Sequence, residues 1–255
     1  MKKLIKFIDK KFFSGFIAEV YSKIKIYYIL NYKITPLPKI FNKKYGLKVR
    51  FNFFKKAQYY LQMNRMDGVY AEFGIHEVNT FRMALQTLGS PYKPYKIDKF
   101  YAFDSFVGMP EPEGIDKQKI WKKSMNFTSE EKFKKIVKRD LNRVITVKGF
   151  YENTLPRYNW PKNDTIAMAY IDCDYYKSTK ECLNFIKDKL QHGSLLVFDD
   201  WNCYYADPKR GQRLAFSEFK SEVINKQIFV EFSNIDSGGQ AFIVLESDKI
   251  GKTIL

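Results

Sequence analysis

Two stretches of the chain decide its fold: Ile166-Ala-Met-Ala-Tyr-Ile-Asp172-Cys-Asp174 and Leu195-Leu-Val-Phe-Asp199-Asp200-Trp201. Each begins with an apolar run of the length that is typical of a buried β-strand. Carboxylates that follow such strands lie at one rim of a sheet, where open α/β sheets bind their ligands. Because carboxylates that converge repel one another, they need a cation or a proton between them. The two stretches therefore predict an α/β enzyme with a hard divalent metal.

The composition is that of a folded protein with a strongly basic balance. The chain has 255 residues, 45% of them hydrophobic, and a formal net charge of +16. This charge is compatible with nucleic acid, an anionic membrane surface or an anionic substrate as a partner, and also with a merely lysine-rich surface. The three cysteines form no disulfide framework, which favours a reducing cytoplasm and excludes a cysteine-rich metal site.

The N-terminal region differs in pattern from the rest of the chain. Residues 1 to about 32 carry apolar groups at helical spacing among lysines, which predicts one or two amphipathic helices. These helices would pack on the main domain, pair with a second subunit, or lie on a membrane surface. Thr35-Pro-Leu-Pro38 predicts a linker. We therefore divide the chain into an N-terminal segment, 1–50, and a main domain, 51–255.

Strand and helix patterns alternate through the main domain. The predicted strands are 68–73, 99–103, 143–148, 166–171, 195–198, 227–232 and 240–246. The predicted helices are 51–65, 79–88, 129–140, 178–190 and 211–224, with Ser129 capping the third and Ser178 or Thr179 the fourth. Five strands that alternate with helices, followed by a hairpin, predict a mostly parallel sheet with one antiparallel strand.

Two strand ends carry residues that suit a nucleoside-type cofactor. The first strand runs into Glu72-Phe-Gly74, where glycine lets the backbone approach a ligand and the carboxylate can bind an ammonium or hydroxyl group. The second strand ends at Asp104, which is placed to accept hydrogen bonds from a ribose diol. The first motif is incomplete, because Val78 and Asn79 stand where further glycines are expected.

The acidic strand ends predict a metal bound by oxygen. Asp172, Asp199 and Asp200 would supply carboxylate ligands, which suit Mg²⁺ better than Zn²⁺. His76 and His192 lack ligand spacing, and we interpret His192 as a turn residue. Asp174 is either a general base or a residue that organises its turn.

The motifs together resemble those of a known family. The set E-x-G, F-D-S-F-x-G-M-P, K-G-x-x-x-x-T-L-P, D-x-D-x-Y-x-S-T and D-D-[WY] is similar to that of the macrocin O-methyltransferases, from about residue 68 to 224. The resemblance implies a Rossmann-like class I methyltransferase fold with strand order 3-2-1-4-5-7-6, S-adenosylmethionine and Mg²⁺ as cofactors, and a sugar hydroxyl as acceptor.

The resemblance also assigns residues. It implies that Glu72 and Gly74 hold the methionine part of the cofactor, that Asp104 binds its ribose, and that Ser105 and Phe150 lie near the adenine. It implies Asp172, Asp199 and Asp200 as metal ligands. From the residues themselves we predict Asp172 and Asp174 as catalytic, with Asp174 as the candidate base.

Three departures from the family pattern affect the expected chemistry. Val78 and Asn79 replace small residues, so the amino-acid end of the cofactor would be held differently. Lys177 replaces the usual glutamate, which would favour an anionic substrate, and the basic surface of the chain would suit a nucleotide- or lipid-linked sugar. No histidine follows Asp200, so a histidine base from that region is absent.

Two other functions use the same residues. An RNA methyltransferase would explain the charge, although the chain contains no recognisable nucleic-acid module. A non-catalytic binding protein would explain the missing glycines. We expect a cytoplasmic homo-oligomer that acts in surface-glycan or glycosylated-metabolite assembly, with the inner face of the membrane as a further location.

Overall fold

The computed structural model describes residues 38–91, 95–119 and 121–252, with side chains from residue 46. The chain divides into two compact units, Met1–Arg50 and Phe51–Leu255. The helices predicted within residues 1–32 lie outside the described residues. In the described part of the chain, no helix has the length and apolar character needed to cross a membrane.

The described elements alternate as the sequence predicts. The helices are α1 (Pro38–Met63), α2 (Asn79–Thr87), α3 (Glu130–Ile136), α4 (Tyr151–Thr154), α5 (Tyr176–Ile186) and α6 (Gly211–Val223). The strands are β1 (Val69–Phe73), β2 (Phe100–Asp104), β3 (Val144–Lys148), β4 (Ile166–Ile171), β5 (Leu190–Phe198), β6 (Gln227–Asn234) and β7 (Gln240–Glu246).

The seven strands form a single sheet with the order β3-β2-β1-β4-β5-β7-β6. Strands β1 to β5 pair in parallel, and β7 runs antiparallel to both β5 and β6. The predicted order and the single antiparallel strand are both confirmed. Phe73 is level with Phe103 and Ile171, and Ile171 is level with Phe198, so four parallel strands end at one edge.

The sheet is covered on both faces. Alternation along β1 sends Tyr70 toward one apolar cluster and Phe73 toward the other, since successive strand residues point to opposite faces. The first cluster contains Phe54 of α1, whose ring stacks on Tyr170 with centroids 5.6 Å apart. The second contains Phe216 of α6. Burial on both faces explains why the central strands are apolar throughout.

Several predicted boundaries are wrong. Helix α1 begins at Pro38, although the sequence pattern predicts a linker there, since proline is well tolerated in the first turn of a helix. Strand β5 begins at Leu190 and therefore includes His192, whose Nδ1 accepts a hydrogen bond from the backbone N–H of Glu246. Helix α3 ends at Ile136, although its predicted cap is confirmed: Ser129 Oγ accepts from the N–H of Lys132 at 3.2 Å.

The predicted caps of α5 are also wrong. The helix begins at Tyr176, and neither Ser178 nor Thr179 caps it. The carboxylate of Asp116, from the loop between β2 and α3, accepts the N–H groups of Tyr176 at 2.7 Å and Lys177 at 3.1 Å. The N-terminus of α5 is therefore capped by a residue remote in sequence, where a residue at the start of the helix is the usual cap.

Candidate active site

A cavity of about 580 Å³ opens at the edge where β1 to β4 end. Its wall includes Gly74 after β1, Asp104 at the end of β2, Phe150 after β3, and Asp172 after β4. The loop between β2 and α3 and the first turn of α5 complete the wall. The structure thus brings together side chains from four strand ends, as parallel strands require.

Three carboxylates converge beside this cavity. Single oxygens of Asp172, Asp199 and Asp200 all lie within 4.8 Å of one another. Asp199 is buried, and its carboxylate accepts a hydrogen bond from the hydroxyl of Tyr170. Burial, together with the charges of Asp174 and Asp199, holds the pKa of Asp200 well above its usual range. Repulsion between these carboxylates therefore favours the binding of a cation or a proton within the cluster.

Gln212 supports the acidic cluster and was missed in the sequence. Its side-chain oxygen accepts the N–H of Asp200 at 2.9 Å, and its amide group donates to the carbonyl of Ile171 at 3.0 Å. The side chain is 1% exposed. The sequence contains a signal, because Gln212 shares the helical face of Ala215 and Phe216, where a polar residue is out of place.

Asp174 forms the turn after β4. Its φ is 58°, in the left-handed region, and its N–H donates to Asp200 Oδ2 at 2.9 Å. Burial, followed by the charge of Asp199, raises its pKa to about 6. Asp174 also lines the cavity, so the structure supports the turn role and keeps the residue within reach of a ligand.

The β1–α2 turn places Gly74 and Glu72 in different environments. Gly74 has a φ of 95°, and a Cβ there would lie 1.7 Å from the carbonyl oxygen of Asp172. Glu72 is fully buried, and its carboxylate accepts hydrogen bonds from the hydroxyls of Tyr70 and Thr80 (the latter at 2.6 Å). Burial raises the pKa of Glu72 to about 8. Gly74 lines the cavity, whereas Glu72 lies behind the wall.

In the incomplete glycine motif, two residues other than glycine adopt the left-handed backbone conformation that favours glycine. Val78 has a φ of 61° and Glu77 a φ of 58°. Val78 is fully buried in the first apolar cluster. A β-branched residue in this region is strained, and burial of its side chain offsets the cost.

Asp104 is held by the backbone. Its two oxygens accept the N–H groups of Ile75 at 2.6 Å and Phe106 at 2.5 Å. Burial raises its pKa, although these two hydrogen bonds act in the opposite direction. Each carboxylate oxygen retains a further lone pair, which can accept a hydroxyl group.

Ser105 and Phe150 also line the cavity. The hydroxyl of Ser105 donates to the carbonyl of Gly108 at 2.7 Å and accepts the N–H of Val107 at 3.2 Å. Ser105 therefore shapes the loop that follows β2. Phe150 precedes α4 after Gly149, whose φ is 140°.

Lys177 does not present a free cation to the cavity. Its Nζ lies 2.6 Å from a carboxylate oxygen of Glu152. This ion pair raises the pKa of Lys177, and the charges of Glu113 and Glu181 add to the effect. The structure therefore does not support our interpretation of Lys177 as an attractor of anions.

Comparisons with known proteins agree with this geometry. The family model of the macrocin O-methyltransferases, TylF, matches residues 46–243. The O-methyltransferase NovP shares 19% identity over 77% of this chain and 79% of its own, with a TM-score of 0.58. The calicheamicin methyltransferase CalS11 shares 20% identity over 89% of this chain and 92% of its own, with a TM-score of 0.60.

A second, apo structure of CalS11, described as a TDP-rhamnose 3'-O-methyltransferase, shares 21% identity over 89% of this chain and 94% of its own, with a TM-score of 0.52. A comparison with curated protein sequences found no match.

The strand order, together with a cavity at the ends of β1 to β4, defines a class I S-adenosylmethionine-dependent methyltransferase. The match to the family model covers most of the chain, so the protein belongs to the macrocin O-methyltransferase family.

Proposed function

We propose that this enzyme transfers a methyl group from S-adenosylmethionine to a sugar hydroxyl with the help of Mg²⁺. The observation that carries the proposal is the convergence of Asp172, Asp199 and Asp200 beside the strand-end cavity. Family membership supplies the methyl-transfer chemistry. The carboxylate cluster supports the metal, and the sugar specificity rests on the structural similarity to CalS11, described as a TDP-rhamnose 3'-O-methyltransferase.

The cavity fits the methyl donor. Gly74 lines the cavity at the end of β1, where the carbonyl of Asp172 occupies the space that a side chain would need. Asp104 would accept hydrogen bonds from the ribose hydroxyls, and Phe150 would lie against the adenine, with Ser105 shaping the adjacent loop. Glu72 would act from behind the wall, where it holds Thr80 at the start of α2.

The carboxylate cluster fits Mg²⁺. Its donors are all oxygen atoms, which this cation prefers, and they are close enough to share one ion. When bound, the ion would lower the pKa of a sugar hydroxyl and orient it toward the methyl donor.

The residues of the chain then have defined tasks. Asp172 lies at the junction of the cavity and the cluster, so it would position both ligands. Gln212 and Tyr170 hold Asp200 and Asp199 in place. Asp174, with a pKa near 6, would accept the proton of the hydroxyl at neutral pH. Much of the acceleration would come from orientation.

The acceptor is inferred from a solved structure that this chain resembles. CalS11 is described as acting on TDP-rhamnose. By analogy we propose a sugar or sugar-linked acceptor, in a glycan or a glycosylated metabolite, and a cytoplasmic enzyme. RNA is not favoured, because the part of the chain that the structure describes lines the cavity with eight carboxylates and one lysine.

Calorimetry with S-adenosylhomocysteine, with and without Mg²⁺, tests the proposal. We expect binding of the nucleoside in both conditions and a separate Mg²⁺ signal that Asp199→Asn abolishes. Glu131→Gln, which changes an exposed carboxylate on α3, is the control. Absence of nucleoside binding would refute the methyltransferase assignment, and an unchanged Mg²⁺ signal in Asp199→Asn would refute the metal site.

A further inference from the structure

The charge of the cavity is opposite to that of the chain. The chain carries 44 lysines and arginines against 28 acidic residues. Among the described residues, the cavity wall nevertheless contains eight carboxylates and a single lysine. That lysine, Lys177, is paired with Glu152 at 2.6 Å. A ligand that enters this cavity therefore meets a negative field.

Three of these carboxylates are unpaired. Glu111 and Glu113 follow β2 in the loop that covers the cavity, and Glu181 lies on α5. Within the described ranges, none of the three has an ion pair or a side-chain hydrogen bond. We call them the three cavity glutamates. The function proposed above uses Asp104, Asp172 and Asp174, but it gives no role to the three cavity glutamates.

Tyr175, a residue of the same wall, carries a buried hydroxyl without a partner in the described part of the chain. Tyr175 lines the cavity and is 2% exposed. Its hydroxyl has no hydrogen-bond partner among the described residues. Its ring packs against Trp121, with centroids 5.6 Å apart. A buried hydroxyl without a partner is costly, so its presence beside a cavity points to a ligand group that completes it.

We propose that the methyl acceptor carries a protonated amine, as an amino sugar does, and that Tyr175 and the three cavity glutamates recognise it. This inference rests on the proposed function and names the class of its substrate. An ammonium group would donate hydrogen bonds to carboxylates and to the phenolic oxygen. The same field would disfavour a uronic acid.

The ionisation state of Tyr175 agrees with this role. Burial, with the charges of Asp174, Asp116 and Glu111, raises its pKa to about 12. The hydroxyl thus keeps its proton at neutral pH, where it can both accept from an ammonium group and donate to a sugar oxygen.

The test compares matched sugars on the full-length enzyme loaded with S-adenosylhomocysteine and Mg²⁺. Ligand-observed NMR titrations would use glucosamine, glucose and glucuronate, then galactosamine, galactose and galacturonate. We expect the amine of each series to bind on the order of tenfold more tightly than the neutral sugar, and the uronate to bind most weakly. This preference should shrink as salt is added.

Variants separate the cavity from general charge effects. The triple variant Glu111→Gln, Glu113→Gln, Glu181→Gln should lose the amine preference, whereas Lys177→Gln should increase it. Glu131→Gln, outside the cavity, should leave it unchanged. Tyr175→Phe should weaken amine binding without lowering the melting temperature, because the hydroxyl it removes has no partner in the protein.

The inference fails if no sugar series shows an amine preference, including the case in which none of the six sugars binds. It also fails if the preference persists in the triple variant, or if Tyr175→Phe lowers the melting temperature and leaves amine binding intact. Calorimetry of S-adenosylhomocysteine on the same samples keeps the outcomes distinct. Retained nucleoside binding without amine preference overturns this inference and leaves the methyltransferase assignment standing.

Discussion

The turn between β1 and α2 shows how single residues set the shape of the cavity. Gly74 is required by the carbonyl of Asp172, which occupies the space of a side chain. Val78, in contrast, adopts a glycine-type conformation although it carries a branched side chain. Burial of that side chain, rather than backbone preference, keeps the turn in place.

Because of this strain, we expect substitution by glycine to be less destabilising than substitution by alanine, which is the reverse of the usual order. Val78→Ala removes packing and keeps the backbone strain, whereas Val78→Gly removes both. We expect Val78→Gly to be more stable than Val78→Ala by about 1 kcal/mol, although both are less stable than the wild type. At Val197, a buried residue of β5, we expect the Ala variant to be more stable than the Gly variant. Urea unfolding measures both pairs, and an Ala variant that is the more stable at position 78 would contradict the strain.

Glu72 predicts a pH dependence of stability. Burial raises its pKa from 4.5 to about 8, against the effect of its hydrogen bonds with Thr80 and Tyr70. Between these values the folded state binds a proton that the unfolded state releases. Glu72 therefore lowers stability as the pH rises through this window, by up to about 1.4 kcal/mol per pH unit.

Glu72→Gln should flatten this part of the stability profile, because an amide carries no titrating proton. Urea unfolding of the ligand-free protein between pH 5 and pH 8 measures the slope. The exposed Glu131→Gln should keep the wild-type slope. An unchanged slope in Glu72→Gln would show that other groups control this pH range.

At the scale of elements, the sequence predicts type better than boundary. The apolar runs of β4 and β7 are found at the predicted residues, since both runs end at polar residues. Helix α1 and strand β5 both begin earlier in the chain than predicted. Tertiary packing stabilises the additional helical turns and strand pairs, which the local sequence pattern does not indicate.

The start of α5 depends on a partner remote in sequence. Asp116 is 3% exposed, and its carboxylate accepts the first N–H groups of the helix. Arg210 fastens the same loop by donating to the carbonyls of Ile115 at 2.7 Å and Lys117 at 3.2 Å. Because Tyr175 immediately precedes the helix, this cap also positions a wall of the cavity.

Asp116→Ala should therefore destabilise the protein by about 1–2 kcal/mol, the usual cost of losing a helix cap. Asp116→Asn should cost less, since its side chain keeps one acceptor oxygen. Ser178→Ala is the matched control, because local pattern predicted a cap there and the structure shows none. Denaturant unfolding measures all three, and equal effects of Asp116→Ala and Ser178→Ala would contradict the remote cap.

At the scale of the whole molecule, one sheet with two covered faces carries every part of the site. The strand ends meet at one edge because five consecutive strands run parallel. A ligand at this edge therefore contacts segments from Gly74 to Glu181 in the chain. Binding there should stabilise the folded state as a unit.

Thermal unfolding measures this coupling. S-adenosylhomocysteine at a hundred times its dissociation constant should add about 2.7 kcal/mol, which raises the melting temperature by roughly 5–10 °C for a chain of this size. Asp199→Asn should keep this rise and lose any further rise caused by Mg²⁺. A wild-type melting temperature that neither ligand changes would contradict both sites.

The sequence by itself determined the fold class, the strand order through family resemblance, and the strand ends that bear the chemistry. These features depend on the local periodicity of apolar residues and on residue types at short spacing, and both can be seen directly in the amino-acid sequence. Only the tertiary structure decided that Glu72 is enclosed, that Asp116 caps α5, that Gln212 supports Asp200, and that Lys177 is neutralised by Glu152. Each of these depends on side-chain direction and on segments that meet only when the sheet has formed.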